Sequence, residues 1–109
     1  MNIKIKSLHF TPKQLLLDFV SKKVGKLSQF YERIIAGEVS LSTEKSHKKE
    51  NKLCDIRLII PGNDLLASTQ CKTFEEAIDR SVDVLIKQIE KKKNRNTAYK
   101  SDRLMLISQ

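Results

Sequence analysis

Glycine is scarce in this chain and never clustered: the three glycines stand alone at positions 25, 37 and 62. That excludes a glycine-rich loop of the kind that cradles phosphates through successive backbone N–H groups. Histidine is as scarce. His9 falls at a strand end and His47 in a charged loop, and neither has an evident partner in register for nucleophilic or acid/base work. The expectation is a protein without catalytic activity. Cysteine occurs twice, as Cys54 and Cys71, with no CxxC spacing and no histidine pair nearby, so neither a zinc site nor a redox motif is indicated. Both are expected to be reduced, buried thiols. No run approaches the roughly 20 apolar residues needed to cross a bilayer. The start, MNIKIKSLHF, alternates charged and apolar residues, unlike the core of a signal peptide. These absences point to a cytoplasmic protein with no cofactor, no small-molecule substrate and no membrane partner.

What the chain has in excess is positive charge. Its 21 basic residues outnumber 13 acidic ones, giving a net charge of +8 and a pI near 9.6, a balance that favours polyanions as partners. With 39% hydrophobic and 31% charged residues it carries enough periodic apolar sequence to bury a core, which excludes global disorder. Its 109 residues leave room for one domain.

Ile3 and Ile5 alternate with Asn2, Lys4 and Lys6, the period-two signature of a half-buried strand over about residues 2–8. Thr11, Pro12 and Gln14 offer an N-cap, a first-turn proline and a capping-box partner. Leu16, Val20, Val24, Leu27 and Tyr31 then recur at helical spacing, predicting a first helix over about 12–33. Val39, Leu41 and Thr43 alternate, as do Cys54, Ile56, Leu58 and Ile60, across the charged loop EKSHKKENK; these are two strands of a hairpin. Pro61, Gly62, Asn63 and Asp64 give a turn, and Leu65, Ala67, Thr69 and Cys71 take one face of a fourth strand. Thr73 and Glu76 repeat the capping chemistry ahead of Phe74, Ile78, Val82, Leu85 and Ile89, the buried stripe of a second helix expected to last to about 95. Residues 1–95 then form the domain, and 96–109 a mobile C-terminal tail.

The order β-α-β-β-β-α requires a parallel pairing across the first crossover and antiparallel pairings across the two short connections. The fold class is therefore α+β, a four-stranded mixed sheet with both helices on one face and the other face wet. Double-stranded-RNA-binding domains share that layout.

At about 100° per residue, Lys22, Lys26 and Arg33 share a ridge of the first helix, with Gln29 between them. Arg80, Lys87, Lys91 and Arg95 line up on the second, while Asp79, Asp83 and Glu90 fall on a separate acidic strip. Cations near a helix C-terminus, such as Lys91, Lys92, Lys93 and Arg95 in EKKKNRN, are favoured by the macrodipole without any partner. One-signed ridges on two neighbouring helices go beyond that and favour a polyanion groove, since a solvated face interleaves its signs as helical ion pairs.

DFVSKKVGKLSQFYERI, a strand pair, and then LLASTQCKTFEEAIDRSVDVLIKQIEKKKNR resemble the ribosome hibernation promoting factor family, also called ribosome-associated inhibitor A or sigma-54 modulation proteins. The resemblance spans about residues 1–95 and rests on element order, lengths and the two basic helices together. It implies a factor of stress or stationary phase that binds the small ribosomal subunit through ribosomal RNA. There it blocks the messenger and transfer RNA sites and inhibits translation, and the free protein is a monomer. The family's basic positions match Lys22, Lys23 and Lys26, and Lys87, Lys91 and Arg95. With the neighbouring cations, the candidate RNA-binding set is Lys22, Lys23, Lys26, Arg33, Arg80, Lys87, Lys91, Lys92 and Arg95. Val84 departs from the pattern, standing where relatives can carry a lysine. The expectation is a short form of the family, without the C-terminal dimerising domain of the long one.

Two other classes compete with this reading. A membrane-surface protein would expose a bulky apolar helix face, whereas the apolar stripes here are consumed by the core. A free-RNA-binding or protein-binding adaptor without ribosome specificity has the same charge and layout. Sedimentation of a lysate separates it from a ribosome-bound factor.

Overall fold

The computed structural model describes the backbone of residues 1–44 and 49–108, and the side chains of residues 1–44 and 49–93. His47 and Lys48 of the charged loop lie outside the described residues. The elements are β1 (Asn2–Leu8), α1 (Gln14–Gly25), α2 (Leu27–Phe30), β2 (Ala36–Thr43), β3 (Lys52–Ile59), β4 (Leu65–Cys71) and α3 (Phe74–Ser108). The sheet order is β1-β2-β3-β4, with β1 parallel to β2 and the other two pairings antiparallel, as the connection lengths require.

Strand alternation sorts the side chains into two layers. Val39, Leu41, Cys54, Ile56, Leu58, Ala67 and Cys71 are buried, and they meet Val20, Val24 and Leu27 of the first helical segment and Ala77, Ile78, Val82, Leu85 and Ile89 of α3. Both helices cover this one face. The opposite face carries in-register rows of mixed charge, Lys4 beside Glu38 beside Arg57, then Lys6 beside Ser40 beside Asp55. Ser68 donates to Asp55 at 2.5 Å on the same face. Gly37 lets α1 approach the sheet: a Cβ there would lie 3.4 Å from both Met1 Sδ and Val24 Cγ1. Gly62, at φ 95°, makes the β3–β4 turn.

The helices depart from the sequence expectation at three ends. The first helix does not run to 33. It closes at Gly25, continues as the single turn α2 and stops at Phe30, after which Tyr31 is extended at φ −150° and ψ 111°. The Ser28 hydroxyl donates to the Gly25 carbonyl at 2.8 Å, a local hydrogen bond that competes with the helix ladder, and a glycine at that point adds little helix propensity. The chain must then turn back to bury Ile34 and begin β2. Thr11 does not cap α1 either; the N-cap position is Lys13, without a side-chain bond, and the Gln14 amide donates to Asp18 at 2.9 Å. Phe10 stacks on Phe74, with ring centroids 4.5 Å apart, which fixes the chain just before the helix. At the other end, α3 continues past 95 to Ser108. No glycine or proline occurs after Gly62, and Ala98, Lys100, Arg103, Leu104, Met105 and Leu106 are all good helix formers. Thr73 caps α3 as expected, its Oγ1 accepting the Glu76 N–H at 3.1 Å, although the Glu76 carboxylate turns to Arg80 rather than back to the cap.

Candidate nucleic-acid interface

Three polar clasps set the roll of α3 over the sheet. Thr69 Oγ1 donates to the Ala77 carbonyl at 2.8 Å and lies 2.8 Å from the hydroxyl of the fully buried Ser81. Gln88 Nε2 donates to the Leu66 carbonyl at 2.9 Å, so this side of α3 faces β4. On the opposite side, Lys23 of α1 pairs with Asp79 at 3.3 Å. These contacts decide where each charge points.

Lys87 and Lys91 are exposed and make no ion pair among the described residues. With Val84, Gln88 and Glu90 they border a shallow depression of about 460 Å³. Arg80 belongs to the same ridge by spacing, but its guanidinium is shared with Glu76 at 2.9 Å. On α1, Lys22 and Lys26 are exposed on one ridge, and Leu15, 82% exposed, lies on it too. Val84 is the corresponding apolar residue on α3, 39% exposed between Arg80 and Lys87.

The acidic strip separates the two ridges. Asp79 faces α1 through its pair with Lys23, and Asp83 and Glu90 follow it at spacings of 4 and 11 residues, on the same side of α3. Arg80, Lys87 and Lys91 lie about 100° further round, toward β4. The helix layer therefore presents basic, acidic and basic lines in succession, not a groove with basic walls.

The remaining candidates scatter. Lys23 is half-buried, engaged by Asp79 and placed 5.6 Å over the Phe19 ring, so it ties α1 to α3. Arg33 lies beyond the end of α2 and is not on the α1 ridge; the premature helix stop moved it. Lys92 is half-buried on the sheet side of α3, by its spacing from Leu85 and Ile89. The Arg95 side chain lies outside the described residues. Lys93, one of the EKKKNRN cations but not in the candidate set, shares a groove with Arg33.

Elsewhere the chemistry is quiet. Burial pushes the Cys54 thiol up to about 11, against the lowering effect of a hydrogen bond from Ser81, and burial also raises Cys71. Among the described residues, no cluster of His, Cys, Asp and Glu is arranged to hold a metal ion, and no helix is long and apolar enough to cross a membrane.

Residues 3–97 match the family model described as sigma 54 modulation protein / S30EA ribosomal protein. The chain belongs to this family. A ribosome hibernation promoting factor from Klebsiella oxytoca is 32% identical over 95 residues, covering 87% of this chain and 94% of the relative. The Bacillus subtilis ribosome hibernation promotion factor is 28% identical over 96 residues, 86% of this chain but 48% of that longer protein. Among solved structures, the N-terminal domain of Thermus thermophilus Protein Y superposes with a TM-score of 0.72 at 25% identity, covering 84% of this chain and 98% of that domain. A ribosomal subunit interface protein from Coxiella burnetii shares the fold, with a TM-score of 0.76 at 18% identity over 86% of this chain and 99% of its own.

Proposed function

We propose that the chain is a cytoplasmic ribosome hibernation factor that binds the small ribosomal subunit through ribosomal RNA. In the bound state it occupies the messenger and transfer RNA sites, inhibiting translation under stress or in stationary phase. The free protein is a monomer, and its action is binding without catalysis. The observation that carries this reading is the exposed Lys87 and Lys91 pair, unmatched by acid among the described ion pairs, on a chain whose relatives are named hibernation promoting factors. Exposed lysines of this kind meet phosphates, and each neutralised phosphate releases condensed counterions.

The test is co-sedimentation with purified ribosomes and separated subunits across a salt series. The expected result is migration with the small subunit, with affinity falling by orders of magnitude between ~50 and ~200 mM salt. Protein that remains at the top of the gradient but binds free RNA would instead establish the adaptor reading.

A further inference from the structure

We propose that the groove between the end of α2 and α3 seats one unpaired ribonucleotide, its phosphate between Arg33 and Lys93 and its base on the ring of Phe30. This rests on the ribosome-binding reading above and adds a contact, at the level of one nucleotide, to the same interface.

The groove exists because the helix stops early. With α2 ending at Phe30 and Tyr31 extended, the last turn of α2 and residues 31–33 come to line one groove with Lys93 of α3. Gln29, Phe30, Tyr31, Glu32, Arg33 and Lys93 line an open groove of about 270 Å³. That is near the lower end, about 300 Å³, of small-ligand cavities, room for one nucleotide with its base laid on the open ring and none for a duplex.

Two features give the space its chemistry. Arg33 and Lys93 stand 60 positions apart in sequence, yet the fold brings them to one rim. Neither makes an ion pair among the described residues, so both cations are available to one bound phosphate, with Glu32 the single carboxylate at the rim. Phe30 is the second feature. Phe10, Phe19 and Phe74 all pack against the core, whereas Phe30 is 41% exposed. An open ring beside two cations is the arrangement that holds single-stranded nucleic acid, because every base has a face to stack. A base in that position has the Gln29 amide and the Glu32 carboxylate at the same rim to meet its edge. An acidic peptide would satisfy the cations but leave the ring unused, and a paired base could not reach it.

The experiment uses the full chain and purified ribosomes, with Phe30→Ala, Phe30→Trp and the double variant Arg33→Ala/Lys93→Ala, each checked for folding by circular dichroism. Phe30→Ala should weaken binding about five- to a hundredfold with no change in salt dependence, the signature of a lost stack. Arg33→Ala/Lys93→Ala should lower the slope of log affinity against log salt by about two. Phe30→Trp should bind as the parent does. It also gives the chain its one tryptophan, whose fluorescence should be quenched on binding. A benzophenone amino acid at position 30 should crosslink to ribosomal RNA. If the parent sediments with ribosomes while Phe30→Ala and Arg33→Ala/Lys93→Ala bind as well as it does, or Phe30→Trp is not quenched, the seat is wrong and the wider reading stands. A crosslink to a ribosomal protein would likewise overturn the seat. If the parent itself fails to sediment, both fall.

Discussion

Lys23 of α1 and Asp79 of α3 form an ion pair at 3.3 Å that spans the two helices, so a lysine that the family resemblance had placed in the candidate RNA-binding set faces an acid of the neighbouring helix. The side chains are 34% and 51% exposed, so solvent screens the pair and its contribution to stability is small. Lys23→Met and Asp79→Asn should each change unfolding free energy by less than about 1 kcal/mol in urea titrations. Their effects on binding should differ in sign. Lys23→Met should cost little affinity, while Asp79→Asn removes an acid between the ridges and frees a cation, tightening ribosome binding about two- to fivefold at low salt. Weaker binding by Asp79→Asn would mean that the pair itself shapes the contact surface.

The strands were legible because period-two alternation is a local property: Ile56 and Leu58 turn inward, and Asp55 and Arg57 outward, in any sheet with one wet face. The buried stripe of α3 was legible for the same reason at helical spacing. The break after Gly25 was not. It depends on one hydroxyl, that of Ser28, taking a carbonyl from the helix ladder, and on Tyr31 and Ile34 being drawn toward the core. From that break follow the misplacement of Arg33 and its groove with Lys93. Ridges can be read off each helix alone, but the acidic strip between them emerges only once Lys23 and Asp79 fix how the helices roll against each other.

The hydroxyls of Thr69 and Ser81 are polar atoms in an apolar layer, and their satisfaction is mutual. Thr69 spends its one proton on the Ala77 carbonyl, so Ser81 is the donor across the 2.8 Å contact. Thr69→Val leaves the buried Ser81 donor with only the weak sulfur acceptor of Cys54 beside it and should cost ~1–3 kcal/mol. Ser81→Ala removes the stranded group, so the double variant should cost less than the sum of the single ones, a coupling of ~0.5–3 kcal/mol measurable in a double-mutant cycle. Strict additivity would mean that the clasp does not hold α3 to β4.

Cys54 ties stability to alkaline pH. Burial raises its thiol from 9.0 to about 11, so between those values the folded protein holds a proton that the unfolded chain has released. The unfolded state then binds fewer protons, and stability falls as pH rises, with the contribution intact below about pH 9. Thermal or urea unfolding from pH 8 to 10.5 should show a steeper loss for the parent than for Cys54→Ala. Cys54→Ala itself should be ~1–3 kcal/mol less stable at pH 7 through lost packing, with ribosome binding of the folded fraction unchanged. In the native protein at pH 8, iodoacetamide should modify Cys54 and Cys71 far more slowly than in urea. A need for either thiol in binding by a fully folded variant would contradict their place in the core.

Charge reversal on the two faces of the sheet separates a shaped site from bulk attraction. Lys87→Glu/Lys91→Glu removes two exposed cations from the α3 ridge and sets two carboxylates against the RNA backbone, which should abolish ribosome binding. Folding should survive, for both side chains point away from Leu85 and Ile89. Lys4→Glu/Lys6→Glu makes the same change in net charge on the open sheet face, where Lys4 sits beside Glu38 and Lys6 near Asp55 across Ser40. Its effect on RNA held at the helix layer is long-range and screened over about 8 Å at physiological salt, so most of the affinity should remain. Equal losses from the two double reversals, with both proteins folded by circular dichroism, would mean that net charge alone drives association and that the α3 ridge is a solvated face.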